Sequence, residues 1–306
     1  MAERLLITGG TGFIGSHLAC HALKAGLEIT VLSLHPPSDD RRLDGVTYLQ
    51  ADLTDRVQLQ ERLPLTTYDY VVNLSGYINH SSFLQEGRGV IDTHFVGVEN
   101  LLQELDWNVL KCFVQIGTSD EYGDLPAPQS EAIREAPISP YSLGKVATTQ
   151  LLQMLSRTEG FSAVILRLFL VYGPEQDEKR FLPQIIQGCL SNACFPVSAG
   201  EQLRDFCYVD DISKGILAAL IAEDVSGEVI NLASGNPVTI REVVEQVHQC
   251  VGKGKPDFGS IPYRIGENMS LYADISKARR LLGWKPSISL ESGIEKTVNY
   301  YRTRTS

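Results

Sequence analysis

The sequence predicts an α/β fold in which a doubly wound parallel sheet carries helices on both faces. Three observations support this prediction. An apolar run at residues 5–7 leads into closely spaced glycines, and short apolar segments then alternate with helical patterns up to residue 168. A strand, helix and strand in succession favour parallel pairing, because the crossover helix returns the chain to the same edge. Beyond Gly173 and Pro174 the periodic pattern becomes irregular, which indicates a smaller α/β C-terminal domain.

The first element is a strand that ends in a glycine-rich turn and opens a helix. Glycines occupy positions 9, 12 and 15. Glycine permits the tight turn, lets a pyrophosphate approach the backbone and lets the helix lie close to the strand. The free N–H groups and the dipole at the helix N-terminus favour an anion. We therefore expect a dinucleotide site formed by Gly9, Gly12, Phe13, Ile14 and Gly15.

The second strand, residues 28–32, bears on the choice of cofactor. An acidic residue that closes this strand would bond the adenosine ribose, but Ser33 stands here. Without that carboxylate a 2′-phosphate is not repelled, and Arg41 and Arg42 follow as cations that could bind it. The sequence favours NADP and leaves NAD open. The alternative is that both arginines are solvated loop charges.

Two further strands are expected at residues 46–49 and 70–74. Each is followed by residues at the carboxyl edge of the sheet, where a dinucleotide would lie. Small residues after the second of these strands let a ligand approach the backbone. The residues expected to contact the cofactor here are Asp52, Leu53, Leu74, Ser75 and Gly76.

Helical spacing of apolar residues predicts one crossover helix over residues 89–105, followed by a strand over 112–117. A later helix is expected over residues 212–222. Asp210 and Asp211 precede it, and aspartate is a favoured N-cap residue. We expect both aspartates to be structural.

A catalytic constellation follows the fifth strand. Thr118 closes that strand, and Ser139 with Pro140 marks the start of a helix. Tyr141 and Lys145 are four residues apart, so they share one face of that helix. A free phenol has a pKa near about 10; a neighbouring ammonium and an oxidised nicotinamide would lower it. This pattern is typical of alcohol–ketone interconversion, with Tyr141 as proton carrier and Thr118 bonded to the same oxygen.

Several segments together resemble the extended short-chain dehydrogenase/reductase family, which comprises nucleotide-sugar epimerases, 4,6-dehydratases and 4-keto reductases. The segments are residues 8–15, Thr118, 141–145, 166–174, 204–211 and 281–286. The resemblance implies a Rossmann domain for NAD(P) over residues 1–168, with a returning segment at about 207–234. It implies a substrate domain mainly over 169–306, binding of a nucleotide-diphosphate sugar, a role for Lys145 at the nicotinamide ribose, and a homodimer built from the helices around 89–105 and 139–159.

The resemblance also suggests which residues bind the substrate. Arg204 and Arg264 match family arginines that hold the substrate diphosphate, and guanidinium groups suit phosphate oxygens. The alternative for each arginine is an ion pair with Asp205 or Glu267. Further substrate contacts are expected from Ser119 and Tyr172.

Departures from the family pattern limit the choice of reaction. Dehydratases usually place Asp-Glu after the catalytic hydroxyl, whereas Ser119 and Asp120 follow Thr118 here. Asp120 is therefore the candidate acid or base for an elimination, which the pattern disfavours. Ser33 favours a net reductase of a nucleotide-linked 4-keto-6-deoxyhexose. The alternatives are a 4-epimerase or 4,6-dehydratase that retains NAD, and a cofactor-binding protein without catalysis.

Composition excludes several classes of function. The net charge of −10 argues against a nucleic-acid surface. No apolar run reaches the about 18 residues of a membrane span. The six cysteines form neither a C-x-x-C motif nor a cluster with histidine, so we expect no metal site and reduced thiols in a cytoplasmic protein.

Overall fold

The computed structural model describes residues 2–63, 67–263 and 266–304. Its strands, in chain order, are β1 (Arg4–Thr8), β2 (Glu28–Ser33), β3 (Val46–Gln50), β4 (Tyr70–Asn73), β5 (Cys112–Thr118), β6 (Ala163–Leu168), β7 (Leu170–Tyr172), β8 (Cys194–Val197), β9 (Leu203–Arg204), β10 (Phe206–Tyr208), β11 (Val229–Leu232), β12 (Val238–Thr239), β13 (Lys255–Phe258) and β14 (Ser270–Leu271). Its α-helices are α1 (Phe13–Lys24), α2 (Arg56–Arg62), α3 (Arg88–His94), α4 (Val96–Gln103), α5 (Pro140–Glu159), α6 (Phe181–Leu190), α7 (Val209–Ile221), α8 (Ile240–Val251), α9 (Ser276–Leu282) and α10 (Leu290–Arg304).

The main sheet is seven-stranded and parallel, in the order β11-β6-β5-β4-β1-β2-β3. This confirms the expected α/β fold with a doubly wound sheet. The strand order reverses between β1 and β4. Ligands of such sheets bind at this switch point, outside the carboxyl ends of the strands. The N-terminal glycine turn and Thr118 both lie at this edge, because they follow β1 and close β5.

Helices cover both faces of the sheet. On one face, α1 and α7 pack through Leu18, Ile212 and Ile216. On the other face, α2, α4 and α5 contribute buried side chains such as Leu59, Leu101 and Leu152. A third core lies between α6, α8 and α10 and includes Ile186, Val247 and Val298. None of the helices within the described ranges combines the length and apolarity that crossing a membrane requires.

The C-terminal half contributes to the sheet domain as well as to its own core. Strand β11 and helix α7 fall within the expected returning segment, residues 207–234. Ala278 and Trp284 also pack in the core beneath α1 and α7. The domain boundaries drawn from the sequence stay a prediction.

The single crossover helix expected over residues 89–105 is wrong, because two helices occupy that stretch. Helix α3 ends at His94 and α4 begins at Val96. The carbonyl of His94 accepts a hydrogen bond from the Thr148 hydroxyl at 2.6 Å, while the N–H of Val98 bonds to Phe95 instead. The Thr148 hydroxyl on α5 thus bonds the carbonyl that would otherwise accept the next hydrogen bond of the helix.

The capping role expected of the aspartates before α7 is also wrong. Tyr208 is the N-cap residue, and neither aspartate caps through its side chain. The buried Asp211 carboxylate accepts bonds from the Ser287 hydroxyl at 2.7 Å and from the N–H groups of Ser287 and Ile288 at 2.8 and 2.7 Å. Asp211 therefore fastens the segment after Trp284 to α7, which is a structural role of a different kind.

Replacement of Asp211 by alanine is expected to destabilise the protein by about 3 kcal/mol, because the hydroxyl of Ser287 and the N–H groups of Ser287 and Ile288 lose a charged acceptor. The measurement is the free energy of unfolding in urea. Asp44→Ala removes a carboxylate from an exposed position and should change that free energy by less than about 0.5 kcal/mol. Equal effects of the two substitutions would contradict the assigned role of Asp211.

Candidate active site

The glycine turn forms a cradle lined by backbone atoms. Gly9 has φ +70°, and a Cβ there would lie 2.8 Å from the carbonyl carbon of Leu74. A Cβ on Gly15 would lie 2.5 Å from the Cα of Gly10. Gly12 precedes α1, and no side chain caps the helix N-terminus there. A concave turn next to uncapped N–H groups fits the pyrophosphate of a nicotinamide dinucleotide.

Ser33 and Arg41 lie next to this turn. The buried Ser33 hydroxyl accepts a bond from the N–H of Thr11 at 3.3 Å. The Arg41 guanidinium donates to the carbonyl of Thr11 at 3.2 Å, and its Nε lies 3.5 Å from the Glu175 carboxylate. It also donates to the backbone carbonyl of Glu175. Arg41 is therefore held by protein groups, while Arg42 lies over the Tyr48 ring at 5.2 Å.

Asp52 and Leu53 are engaged in local structure after β3. The Asp52 carboxylate accepts bonds from the N–H and hydroxyl of Thr54, both at 2.8 Å. The carbonyl of the buried Leu53 accepts a bond from the Asn100 amide at 2.8 Å. Contact of these two residues with an adenine stays a prediction.

The segment after β4 runs beside the glycine turn, and contact of its residues with a cofactor stays a prediction. The N–H of Leu74 bonds to the carbonyl of Thr8 at 3.0 Å, and the N–H of Ser75 bonds to Asn73 Oδ1 at 3.1 Å. Gly76 has φ +110°, and a Cβ there would lie 2.1 Å from His94 Cε1. Glycine at position 76 thus makes room for the imidazole of His94.

The structure brings Thr118, Tyr141 and Lys145 together at the carboxyl edge of the sheet. Ser139 caps α5 by accepting a bond from the N–H of Ser142 at 3.1 Å, so Tyr141 lies in the first turn. The Thr118 hydroxyl lies near enough to the Tyr141 phenol to lower its pKa. Lys145 is buried one turn further, and its Nζ donates to the carbonyl of Ile116 at 2.8 Å.

The pKa of Tyr141 departs from its ordinary value in the direction opposite to the one expected. Burial raises this pKa most, and the Asp120 carboxylate raises it further, while the Thr118 hydroxyl lowers it. Burial also lowers the pKa of Lys145 to about 8. In the chain without cofactor, desolvation therefore outweighs the help that the sequence assigned to the ammonium.

A buried polar network, which the sequence analysis missed, links the glycine turn to Lys145. The Thr8 hydroxyl donates to Asn73 Oδ1 at 2.5 Å, and the Asn73 amide donates to Gln115 Oε1 at 2.8 Å. The Gln115 amide donates to the carbonyl of Ile116 at 3.0 Å, the same oxygen that accepts from Lys145. The signal available in the sequence was a polar residue within each of three apolar strands, β1, β4 and β5, which lie side by side in the sheet.

The two acidic residues after Ser119 have different environments. Glu121 is fully buried and accepts bonds from the N–H of Thr118, the Thr149 hydroxyl and Arg167 Nε at 2.9, 2.9 and 3.0 Å. Asp120 is partly exposed, and burial raises its pKa. Glu121 therefore fixes the turn that carries Thr118, while Asp120 is the carboxylate next to Tyr141.

Two histidines contact the Tyr141 ring. His80 Nε2 lies 3.9 Å from Asp120 Oδ2, and its ring is 5.8 Å from that of Tyr141. The buried His94 ring is 5.1 Å from Tyr141, and its Nε2 lies 3.0 Å from the carbonyl of Tyr77. Burial lowers the pKa of His94 to about 3. His94 is therefore neutral near pH 7, and its Nε2 carries the proton donated to Tyr77.

The expected substrate residues are not all at the site. Arg204 pairs with Glu267, the alternative considered from the sequence, and acts electrostatically on Asp120. Arg264 lies outside the described residues. Ser119 is buried in the turn beside Asp120. The expectation for Tyr172 needs correction, because its ring is buried in the C-terminal core and its hydroxyl faces the carbonyl of Leu290 at 3.4 Å.

Gly9→Ala is expected to weaken NAD binding at least about tenfold, because its Cβ would meet the Leu74 backbone and disturb the cradle. Gly26→Ala is the matched control, since Gly26 has φ +87° but no atom within 4 Å of its Cβ position. Both variants carry the same kind of backbone strain. The affinity of each variant for NAD is measured by titration calorimetry, and Gly9→Ala should bind more weakly than Gly26→Ala. Equal affinities would contradict the proposed cradle.

Lys145 is expected to make folding stability rise with pH. Its folded pKa of about 8 lies below the ordinary value of 10.5. The unfolded chain therefore binds more protons between these values, so the free energy of unfolding rises with pH in this window. The free energy of unfolding of the wild type should rise by about 2 kcal/mol between pH 7 and pH 10 as a result of this group. Lys145→Met should lack this rise. The free energy of unfolding is measured in urea at each pH. The same dependence on pH in wild type and Lys145→Met would contradict the depressed pKa.

The NAD dependent epimerase/dehydratase family matches residues 5–233 of the chain. A UDP-glucuronate 4-epimerase of Thermodesulfobacterium geofontis is 28% identical over 309 residues, which cover 96% of this chain and 95% of that protein. A dTDP-glucose 4,6-dehydratase of Shigella flexneri is 29% identical over 342 residues, with coverage of 99% and 94%.

Solved structures agree with this similarity. The UDP-glucose 4-epimerase of Thermotoga maritima, crystallised with UDP-glucose, superimposes with a TM-score of 0.91 at 27% identity and covers 99% of this chain and 100% of its own. The UDP-glucose 4-epimerase of Thermus thermophilus, in complex with NAD, gives a TM-score of 0.86 at 26% identity, with coverage of 98% and 99%.

Proposed function

The chain belongs to the NAD dependent epimerase/dehydratase family of short-chain dehydrogenase/reductase enzymes, and on that premise we propose that it is a nucleotide-sugar 4-epimerase that retains its nicotinamide cofactor. The observation that carries the proposal is that three groups meet at one edge of the sheet. They are the Tyr141 phenol, the Thr118 hydroxyl that acts on its pKa, and Lys145 one turn away on the same helix. Two hydroxyls side by side can bind one sugar oxygen and exchange a proton with it.

Each residue of the site has a distinct task in this proposal. Tyr141 removes the proton from the sugar C4 hydroxyl and later returns it. Thr118 holds the same oxygen and keeps it aligned with the phenol. Lys145 holds the nicotinamide ribose and supplies positive charge near the phenolate. The bound nicotinamide supplies the chemistry that these side chains lack, which is the reversible acceptance of a hydride from C4.

Retention of NAD fits the surroundings of Arg41 better than a preference for NADP. The sequence favoured NADP because Ser33 stands where an acidic residue would bond the ribose, and Arg41 and Arg42 were the cations expected to bind the 2′-phosphate. Arg41 instead contacts Thr11 and both the carboxylate and the backbone of Glu175. A 2′-phosphate would have to compete with these groups. The named relatives are epimerases and dehydratases, so the alternative kept open in the sequence analysis has better support than net reduction of a 4-keto-6-deoxyhexose.

A 4,6-dehydratase is the second candidate, because the partly exposed Asp120 carboxylate lies beside Tyr141. An elimination needs an acid and a base beyond the proton carrier at C4. Glu121 is not available for such a role, since Thr118, Thr149 and Arg167 already bond its carboxylate. The turn after Thr118 therefore supplies one acid–base group where dehydratases of the family usually place two, and this ranks the epimerase first.

We further propose a homodimer built from the outer faces of α3, α4 and α5. The turn before α3 and the start of α5 expose three large apolar side chains, Phe83, Leu84 and Leu143, which are 58%, 93% and 48% accessible. Apolar groups exposed to this extent on neighbouring elements favour burial against a second copy.

We also propose the cytoplasm as the compartment of this protein. All six cysteines are free thiols, which fits a reducing compartment.

The proposed activity is tested in an assay of nucleotide-sugar interconversion to which no cofactor is added. The purified chain should interconvert at least one of UDP-glucose, UDP-glucuronate, UDP-N-acetylglucosamine and dTDP-glucose with its C4 epimer, and should release NAD on denaturation. Appearance of a 4-keto-6-deoxy product would favour the dehydratase. Oxidation of added NADPH with a 4-keto-6-deoxyhexose nucleotide, without interconversion of the panel, would contradict the epimerase.

Tyr141→Phe is expected to reduce the turnover rate about 100-fold or more, because a positioned general acid–base group contributes at least that much. NAD affinity should remain within about twofold, since the substitution removes only the phenol oxygen. Tyr300→Phe, on α10 and far along the chain from the site, is the matched control and should leave the rate unchanged. A Tyr141→Phe enzyme with normal turnover would rule out this phenol as the proton carrier.

A further inference from the structure

His80 is a titratable side chain at the site that the proposed hydride chemistry does not use. It follows β4 at the carboxyl edge of the sheet, near the switch point. It is exposed, unlike the neighbouring His94. Its Nε2 lies 3.9 Å from Asp120 Oδ2, and its ring centroid lies 5.8 Å from that of Tyr141.

The backbone around His80 is fastened by its neighbour Asn79. The Asn79 side chain accepts a bond from the N–H of Ser81 and donates to the Glu86 carboxylate, both at 2.8 Å. These bonds bracket His80 on both sides, so its position beside Asp120 is built into the segment. Arg204 also acts on Asp120 electrostatically. An imidazole, a carboxylate and a phenol thus meet at one side of the site.

An imidazole paired with a carboxylate is a common means of moving protons near neutral pH. At this site the natural target is a carbon rather than an oxygen. Tyr141 and Thr118 already serve the oxygen at C4. Once C4 is a ketone, the hydrogens on the carbons next to it become acidic, because the carbonyl oxygen can carry the charge that forms when one of them leaves.

We propose that His80, oriented by Asp120, is a second proton-transfer residue that exchanges the hydrogen on a carbon adjacent to the C4 ketone. The inference rests on the proposed function only for the source of the ketone. The neutral imidazole takes the proton, the electrons of the C–H bond form a C=C bond, and the former carbonyl becomes an enolate. The Tyr141 and Thr118 hydroxyls donate hydrogen bonds to that oxygen. The proton then returns from the imidazolium and the ketone re-forms, so no oxidant or reductant is consumed.

The experiment uses a probe in which C4 is already oxidised, dTDP-4-keto-6-deoxyglucose, in D₂O with the full chain as purified. Loss of the proton NMR signal at C3 or C5, together with a mass gain, reports exchange. The wild-type protein is expected to exchange this hydrogen faster than buffer alone. His80→Gln should slow enzymatic exchange about 100-fold, the usual contribution of a general base, and Asp120→Asn should slow it as well.

His248→Gln is the matched control, because His248 lies on α8 and contacts the carbonyl of Gly254. It should exchange at the wild-type rate. Thermal unfolding confirms that each variant is folded. Wild-type exchange no faster than buffer, or equal exchange by His80→Gln and wild type, would overturn the inference.

The same wild-type sample is assayed for C4 interconversion of the sugar panel. Interconversion without exchange would overturn only the role of His80. Exchange without interconversion would overturn the proposed epimerase and leave the role of His80 standing.

Discussion

The burial of the Tyr141 phenol governs how this site works. A phenol enclosed by protein and placed beside a carboxylate holds its proton more tightly than free tyrosine, and the direction of its pKa shows this. The same burial lowers the pKa of Lys145 to about 8. In the chain by itself, burial therefore disfavours both the charged form of Tyr141 and the charged form of Lys145. A positively charged ring bound at the cradle would favour the phenolate, so the site is completed by its cofactor.

The surrounding structure keeps these groups in place. From one side, the hydrogen bonds from Thr8 through Asn73 and Gln115 reach the carbonyl that fixes Lys145. From the other, Glu121 holds the backbone of Thr118 and is itself neutralised by the fully buried Arg167. Both networks run across neighbouring parallel strands and end at the same edge. A buried ion pair of this kind specifies geometry more than it adds stability.

Much of the fold follows from local patterns in the sequence. Apolar runs and glycine turns predicted the first five strands and their parallel pairing, and Ser139 with Pro140 predicted the start of α5. The break after His94 was not predictable, because it depends on a hydroxyl of α5 that occupies a helix carbonyl. Tyr172 and Asp211 were misinterpreted for a related reason: their partners, Leu290 and residues 287–288, lie more than 70 positions away. The proximity of His80 to Asp120 was not predictable either, since nothing in the segment of His80 shows that Asp120 will face it.

The most direct test is the pKa of the Tyr141 phenol itself, measured from the ultraviolet difference between wild type and Tyr141→Phe as pH is raised. The phenol should ionise above about 10, the ordinary value, in protein stripped of cofactor. It should ionise at clearly lower pH when NAD⁺ is bound. The downward shift of its pKa should be smaller with NADH, which lacks the positive charge on the ring. A phenol that titrates at the same pH in all three states would contradict the account.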